Sequence, residues 1–281
     1  MLNSLRSLVA GYLGNERLVP LVGARVADIP LANPKLFAPT IDQMMEHHVR
    51  VGQVHDPDFY FFKDIPPSSV FCDIGANLGL SVHSVAATGA QPIIHSFEIN
   101  PALYPKLREV TVDYPNTWTL HEFGLAESRG DVWIFVVRAD DIYILGEATL
   151  RLDFLQEPAS IERLMTYAPN GNLHVFKMKA AVRRFDDLSI KPDYMKIDAE
   201  GAEPVVVRGM RETLKNYKPV VMIENGAMLA VDEEMFALGF GAYSYDVTKD
   251  VLRPRVPAQN SFYVHAASVR DLVSRGRLML E

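Results

Sequence analysis

The sequence predicts an α/β fold: a mostly parallel seven-stranded sheet with a C-terminal antiparallel strand pair and helices on both faces. Three observations predict it. A strand, a glycine-rich turn and an amphipathic helix follow one another over residues 70–86. Further strand-like runs then alternate with helix starts, as in parallel sheets. Finally, only a short turn around Arg253-Pro254-Arg255 separates Tyr243–Val247 from Ser261–His265, so these two strands should pair antiparallel.

The first strand, Val70–Ile74, leads into a turn that carries Gly75 and Gly79. Glycine lets the backbone bend tightly and lets a ligand approach closely. The helix that follows points free N–H groups at the same place, which favours a nucleotide. The glycine spacing differs from the G-x-G-x-x-G pattern of dinucleotide-binding folds, and a merely tight structural turn is the alternative.

The second strand, Ile93–Glu98, ends on a carboxylate 25 residues after Asp73. An acidic side chain at this distance, at the end of the next strand, can accept hydrogen bonds from both hydroxyls of a ribose. Asn100-Pro101 then begins a helix, because Asn is a good N-cap and Pro suits the first helical position. The alternative for Glu98 is a solvated strand end.

The middle of the chain is harder to interpret. Trp118–Ala126 is predicted as a third parallel strand, and Val132–Val137 and Val175–Val182 as further strands. Residues 139–173 between them have no clean period and are predicted to be a lid-like insertion over the site, because long irregular segments in compact domains are often functional.

The fourth parallel strand begins at Tyr194 and leads into a charged end. Lys196 and Asp198 lie on one face, whereas a central parallel strand is normally apolar on both. Charges at this position indicate a crevice at the carboxyl ends of the strands. A buried structural ion pair is the alternative. A helix begins at Pro204, and Pro219–Glu224 is the fifth strand, which also ends on a carboxylate.

Composition and charge narrow the class of protein. Of the 281 residues, 48% are hydrophobic and 22% charged, as in ordinary globular domains. The net charge of −7 argues against a nucleic-acid binder. The single cysteine, Cys72, lies in an apolar strand and should be a buried, inert thiol. No apolar run reaches membrane-spanning length, so we expect no integral membrane segment and a cytoplasmic protein.

We predict two regions: an N-terminal arm with helices over residues 1–66, and a main domain over 67–281. Met1–Gly14 should be a packing helix, with a membrane-surface helix as the alternative, and Ile41–Val51 a second helix. The aromatic run Phe59–Phe62 should belong to the core or to a lid.

Three stretches carry a resemblance to a known family. Asp73–Gly79, Phe97–Pro101 and Lys196–Glu203 are similar, in content and order, to the signature blocks of the FkbM-type methyltransferase family. The whole arrangement resembles the Rossmann-like class I fold of methyltransferases that use S-adenosylmethionine. The likeness covers roughly residues 68–266. Ile99 stands where the family usually has proline, which leaves Glu98 in place.

The resemblance implies methyl transfer from S-adenosyl-L-methionine to a hydroxyl oxygen of a sugar, a glycan or a polyketide-like small molecule. Asp73–Gly79 would hold the methionine portion, Glu98 the ribose and Gly124-Leu125 the adenine. The cofactor-binding residues implied are Asp73, Gly75, Ala76, Asn77, Gly79, Ser81, Glu98, Ile99, Asn100, Gly124, Leu125 and Asp198.

The acceptor's proton must be removed by a group within hydrogen-bonding reach. Asp198 is the first candidate for this base, Glu200 the second and His121 the third. Lys196 would tune Asp198 or stabilise the developing alkoxide. No metal is predicted, because no Cys/His cluster is present. The alternative is Mg²⁺ held by Asp198, Glu224 and Asn225.

Two other functions stay open. One is an NAD-dependent oxidoreductase on a similar sheet, which would need the missing glycine fingerprint. The other is a non-catalytic module of the same fold, which would tolerate changes at Gly75 and Glu98. The expected partner is the small-molecule or glycan acceptor, and a homo-oligomer is possible.

Overall fold

A computed structural model describes residues 27–28, 52–111, 118–140, 142–150, 152–153, 155 and 157–280. The helices predicted within 1–14 and 41–51 lie outside these residues. Within the described ranges, no helix is both long enough and apolar enough to span a bilayer.

The strands, in chain order, are β1 (Ala27–Asp28), β2 (Val70–Ile74), β3 (Ile93–Phe97), β4 (Trp118–His121), β5 (Gly124–Leu125), β6 (Gly130–Ala139), β7 (Ile142–Thr149), β8 (Leu173–Arg183), β9 (Tyr194–Ile197), β10 (Val220–Glu224), β11 (Phe240–Asp246), β12 (Val251–Pro254) and β13 (Asn260–His265). The α-helices are α1 (Leu80–Ala87), α2 (Tyr104–Thr111), α3 (Pro158–Met165), α4 (Glu203–Arg208), α5 (Arg211–Tyr217), α6 (Met228–Ala237) and α7 (Ala266–Ser274). Short 3₁₀ helices cover Pro57–Phe62, Phe185–Asp187 and Asn225–Ala227.

The main sheet has eight strands in the order β4-β3-β2-β9-β10-β13-β11-β12. The run from β4 to β10 is parallel, and β13, β11 and β12 each pair antiparallel with the preceding strand. The α/β class and the antiparallel pairing of β11 with β13 are therefore confirmed. The predicted count of seven strands is wrong by one, because Val251–Pro254 forms the edge strand β12 instead of part of a turn. Buried Leu252 gives this strand an inward face, and an edge position tolerates proline.

Apolar side chains alternate between the two faces of the main sheet. Phe71 and Met222 pack on one face, in a cluster that includes residues of α1, α2 and α7. Cys72 and Ile223 pack on the other face, with residues of α4, α5 and α6. Helices on both faces are thus confirmed, as is the buried position of Cys72, where burial raises the pKa of the thiol.

A second sheet has the order β1-β8-β6-β7, and β5 also pairs with β8. It changes two predictions. Trp118–Ala126 is not one strand: β4 ends at His121, and β5 joins the second sheet. Residues 139–173 are not irregular either, because they contain β7 and α3, whose Ile161 and Leu164 pack with Val175 of β8.

The aromatic run is part of the main core. Phe59, Phe61 and Phe62 are buried, and Phe62 makes an edge contact with Phe71 of β2 at a centroid distance of 5.0 Å. The 3₁₀ helix Pro57–Phe62, which lies in the predicted N-terminal region, therefore packs on the main sheet.

The chain order of the parallel strands defines where a crevice can open. From β2 the chain proceeds outward to β3 and β4, passes through the second sheet, and returns to β9 on the other side of β2. Loops leaving β2 and β9 therefore diverge at their carboxyl ends. In open α/β sheets, ligands bind at this switch point.

Candidate active site

A cleft opens at the carboxyl ends of β2, β3 and β9. Its volume is about 660 Å³, counting the space at its mouth that is open to solvent. The residues that line it are Ile74, Gly75, Asn77, Phe97, Glu98, Ile99, Leu103, Gly124, Leu125, Ala148, Leu150, Asp198, Ala199, Glu200, Ala202 and Val206. Eight of these were predicted as site residues: Gly75, Asn77, Glu98, Ile99, Gly124, Leu125, Asp198 and Glu200.

The glycine turn is fixed between its two neighbouring strands. The N–H groups of Gly75 and Ala76 donate to the carbonyl oxygen of Phe97, at 2.9 and 3.1 Å. Gly75 has φ +81°, and a Cβ there would lie 1.8 Å from the carbonyl oxygen of Asp198. Both observations require glycine, because an L side chain would be strained at this φ and would collide with the backbone.

Glu98 is presented to the cleft by two backbone donors. Its Oε2 accepts from the N–H of Asn77 at 2.8 Å, and its Oε1 accepts from the N–H of Asn100 at 2.6 Å. Burial raises the pKa of Glu98 to about 7, although both hydrogen bonds act in the opposite direction. Each carboxylate oxygen keeps a second lone pair for a ligand. The carboxylate is thus pre-oriented to accept hydrogen bonds.

Asn77 contributes a second polar atom to the same wall. Its side-chain Oδ1 is buried and has no hydrogen-bond partner among the residues that the structure describes. A buried acceptor without a donor is costly, so native proteins rarely leave one unless a ligand or water satisfies it. Oδ1 of Asn77 therefore calls for a hydrogen-bond donor from a bound molecule.

Asp73 lies beneath the turn and not in the cleft. It is fully buried, and its Oδ2 accepts from the Ser96 hydroxyl at 3.1 Å. Burial raises the pKa of Asp73, against the opposing charge of Lys196 and a hydrogen bond from Ser81. Ser81 thus supports Asp73. The predicted cofactor residues Asp73, Ala76, Gly79, Ser81 and Asn100 are not among the residues that line the cleft.

Lys196 joins the turn to the two aspartates. Its Nζ donates to the carbonyl oxygen of Gly75 at 2.9 Å and lies 3.2 Å from Oδ2 of Asp198 and 3.7 Å from Oδ1 of Asp73. Burial alone would lower the pKa of Lys196, but the carboxylates of Asp198 and Asp73 outweigh it and raise the pKa. Lys196 therefore stays charged and neutralises this side of the cleft.

Asp198 faces the cleft. Its side chain is 35% exposed, while its N–H donates to the carbonyl oxygen of Ile74 at 3.0 Å. Burial would raise the pKa of Asp198, but the Lys196 ammonium, hydrogen bonds with Glu224 and Lys196 and the charge of His55 together outweigh burial and hold the pKa below its usual value. Asp198 is therefore an ionised carboxylate opposite Glu98 in one cleft.

The turn after Asp198 is fixed by a residue that the sequence analysis did not single out. Oε1 of Glu203 accepts from the N–H groups of Ala199 and Gly201, at 2.9 and 3.1 Å. Glu200 has φ +48°, and its carbonyl oxygen accepts from the Thr149 hydroxyl at 3.0 Å. The sequence did carry a signal for Glu203, because it is an acidic residue directly before Pro204, at the start of a helix.

The opposite wall of the cleft is apolar. A Cβ on Gly124 would lie 2.7 Å from side-chain atoms of Ile99, so these two residues are in direct contact. Leu125 and Val206 continue this wall, and Leu150 closes it from the end of β7. Part of the 139–173 insertion therefore borders the cleft, which the sequence predicted only in general terms.

His121 is not brought into the cleft. Its ring stacks on Phe97 at a centroid distance of 4.4 Å, and its Nε2 lies 3.1 Å from Nδ1 of His95. Burial, followed by the effects of His95 and Arg183, lowers the pKa of His121 to about 4. His121 packs against Phe97 and is not among the residues that line the cleft, unlike Asp198 and Glu200, the first two candidates for the base.

A second, polar recess lies next to the cleft and shares Glu200 with it. We call it the polar recess; it is lined by Arg163, Glu200, Gly201, Glu224, Asn225, Gly226, Ala258 and Gln259. Within the described residues, no group of three or more His, Cys, Asp or Glu side chains could hold a metal ion.

The fold and the cleft define a Rossmann-like α/β protein with a cleft at the switch point of its sheet. The sequence of residues 73–241 matches the family described as methyltransferase FkbM domain, and the chain belongs to this family. No curated protein matches the chain.

Solved structures with a similar fold include a methyltransferase FkbM from Methylobacillus flagellatus KT, at 15% identity and a TM-score of 0.46 over 83% of this chain. This chain spans 56% of that protein's length. Two others are an O-methyltransferase from Klebsiella pneumoniae (14% identity, TM-score 0.40, 82% of this chain and 91% of that one) and precorrin-6y C5,15-methyltransferase from Geobacter metallireducens GS-15 (12%, 0.38, 73% and 83%). These likenesses are remote, and the family assignment rests on the sequence match.

Proposed function

We propose that this methyltransferase-family chain transfers a methyl group from S-adenosylmethionine to a hydroxyl oxygen of a small molecule or glycan, such as a sugar or polyketide-like acceptor. The observation that carries the proposal is that hydrogen-bond acceptors and an ionised carboxylate lie in the same cleft. Glu98 and Asn77 offer hydrogen-bond acceptors on one side, and Asp198 offers an ionised carboxylate on the other.

The residues of the cleft fit this cofactor. Ribose hydroxyls and the amino group of a methionine portion are donors, as Glu98 and the unpartnered Oδ1 of Asn77 require. The absence of a side chain at Gly75 lets a ligand approach the backbone, and the wall formed by Ile99 and Leu125 suits a flat, apolar base. Lys196 and Asp198 would stand near the methionine end.

When bound, S-adenosylmethionine supplies a methyl group on a positively charged sulfur, and the sulfur keeps the bonding electron pair as the methyl passes to the acceptor oxygen. The protein must therefore align that oxygen and take its proton. Asp198 is the first candidate for this task because it is ionised and faces the cleft. Glu200 is the second, and Lys196 would hold Asp198 in place.

The test is transfer of a radiolabelled methyl group from S-adenosylmethionine to a panel of sugars, lipids and polyketides. We expect labelled product from the wild type, abolished turnover in Asp198→Ala, and activity that persists in a strong chelator. No labelled product with any acceptor would favour the non-catalytic module. Wild-type turnover in Asp198→Ala would refute the role of Asp198.

A further inference from the structure

Two carboxyl groups meet at the boundary between the cleft and the polar recess. The parallel strands β9 and β10 place Ile197 beside Ile223, so the residues that follow, Asp198 and Glu224, are also neighbours. Their carboxyl groups lie close enough to each other to share a hydrogen bond. Two carboxyl groups can share a hydrogen bond only when one of them carries a proton.

The two carboxyl groups face different spaces. Asp198 lines the cleft, whereas Glu224 lines the polar recess together with Arg163 and Gln259. The pair therefore connects the proposed cofactor site with a polar space that can hold a hydroxylated acceptor and water. Glu224 was not among the residues assigned to the reaction above.

The surrounding charges decide which partner carries the proton. Lys196 lies 3.2 Å from Asp198 and keeps it ionised. Burial, followed by the charge of Asp198, raises the pKa of Glu224 to about 8, so Glu224 holds the proton near neutral pH. Among the described residues, the other titratable or charged groups near the pair are Lys196 and Glu203 by Glu224, His55 by Asp198, Arg163 and Glu200 in the lining of the polar recess, and Asp56 and Asp58, which accept hydrogen bonds from Asn260, the strand partner of Glu224.

We propose that Glu224, acting with Asp198, is the group that accepts the proton of the acceptor hydroxyl. This inference rests on the proposed function and refines it: Asp198 stays ionised and keeps Glu224 basic. In the free protein the pair holds one proton. That proton leaves to water in the polar recess when the positively charged donor occupies the cleft, and the pair regains one from the acceptor hydroxyl as the oxygen–methyl bond forms.

This cycle balances. The pair starts and ends with one proton, and one proton reaches the solvent for each hydroxyl converted to a methyl ether. It also requires that a positive charge in the cleft favours the doubly ionised pair, because unlike charges stabilise each other in a partly desolvated site. Proton release should therefore depend on the charge of the ligand and not on its ribose or base.

Calorimetric titration of the full chain near neutral pH tests this point without an acceptor. S-adenosylmethionine and S-adenosylhomocysteine are titrated separately, in buffers that differ in ionisation enthalpy, which gives the protons released per ligand bound. The two ligands share the ribose, so proton release linked to Glu98 cancels in the difference. We expect S-adenosylmethionine to release more protons, by up to about one per site.

The variant Glu224→Gln keeps the shape and a hydrogen-bond donor but cannot ionise, so the difference between the ligands should vanish. The matched control Glu212→Gln, at an exposed ion pair with Lys215, should keep it. With any acceptor found by labelled transfer, Glu224→Gln should also lower kcat by about 100-fold or more, with affinity for S-adenosylhomocysteine preserved.

Equal proton release by both ligands in the wild type, or a difference that survives in Glu224→Gln, would overturn this inference alone. If neither ligand binds, the proposed function itself fails, and the inference falls with it.

Discussion

Gly75 and Asp198 approach so closely that a Cβ on Gly75 would lie 1.8 Å from the carbonyl oxygen of Asp198. The glycine turn after β2 and the charged end of β9 are thus one unit, although 121 sequence positions separate Gly75 from Lys196, which donates to its carbonyl oxygen. Changes at the turn should therefore be felt at the proposed methyl-transfer crevice.

Replacing Gly75 with Ala should abolish binding of S-adenosylmethionine and lower the melting temperature. The new side chain would be strained at φ +81° and would displace the backbone of Asp198. The control is Gly89→Ala, at φ +88°, where no described atom other than those of its chain neighbours lies within 4 Å of the new Cβ. It should cost only the strain, roughly 1–2 kcal/mol of unfolding free energy, and leave binding intact. Equal losses in both variants, measured by thermal unfolding and calorimetry, would contradict the close contact.

Replacing Glu98 with Ala should weaken binding of S-adenosylmethionine about 10- to 100-fold, more than Asp198→Ala does. The variant loses hydrogen bonds to a charged acceptor, each worth about 1.5–3 kcal/mol, and releases the N–H groups of Asn77 and Asn100. Calorimetric titration measures the change, with Glu109→Ala, at an exposed ion pair, as the control.

The affinity should also depend on pH through Glu98. Only the ionised carboxylate accepts without a competing proton, and burial raises the pKa of Glu98 to about 7. Affinity should therefore fall as the pH drops below about 7 in the wild type, whereas the Ala variant should lack this dependence. A dissociation constant that is unchanged by the substitution and by pH would remove Glu98 from the site.

Glu224 should make the folded protein less stable as the pH rises. Its pKa is 4.5 in the unfolded chain and about 8 in the folded protein, where burial raises it. Between these values the folded state binds more protons than the unfolded state, so the contribution of Glu224 to unfolding free energy decreases with rising pH. Glu224→Gln should remove this part of the slope. Urea unfolding of both proteins at several pH values measures it, and parallel curves would show that the pKa of Glu224 is not raised.

Phe62 should be required for stability, because it is fully buried and contacts Phe71 of the main sheet. Phe62→Ala should cost about 3–5 kcal/mol of unfolding free energy. The adjacent Tyr60 is 38% exposed, so Tyr60→Ala should cost far less. Denaturant unfolding compares them. Similar small losses in both variants would mean that the segment before residue 67 contributes nothing to the core.

The sequence predicted the parts of the molecule in which local pattern and packing agree. The glycine turn, the acidic end of β3 and the charged end of β9 each follow a strand, and the switch in strand order brings them to one cleft. The buried position of Cys72 was predicted in the same way, from the apolar strand that contains it.

Other features depend on contacts that are distant in sequence. Nothing local separates His121 from Gly124, yet the chain changes sheets between them because β5 pairs with β8, far along the sequence. The strand and helix within 139–173 were missed because their apolar residues pack in a separate cluster with β8. The hydrophobic pattern of this segment therefore has no single period. The inward turn of His121 onto Phe97 likewise depends on tertiary packing.

The most direct test of the central claim is parallel calorimetric titration of the full chain with S-adenosylmethionine and with NAD. The account predicts saturable binding of S-adenosylmethionine that weakens in Glu98→Ala, and no binding of NAD. Binding of NAD, or no binding of S-adenosylmethionine to the wild type, would contradict it.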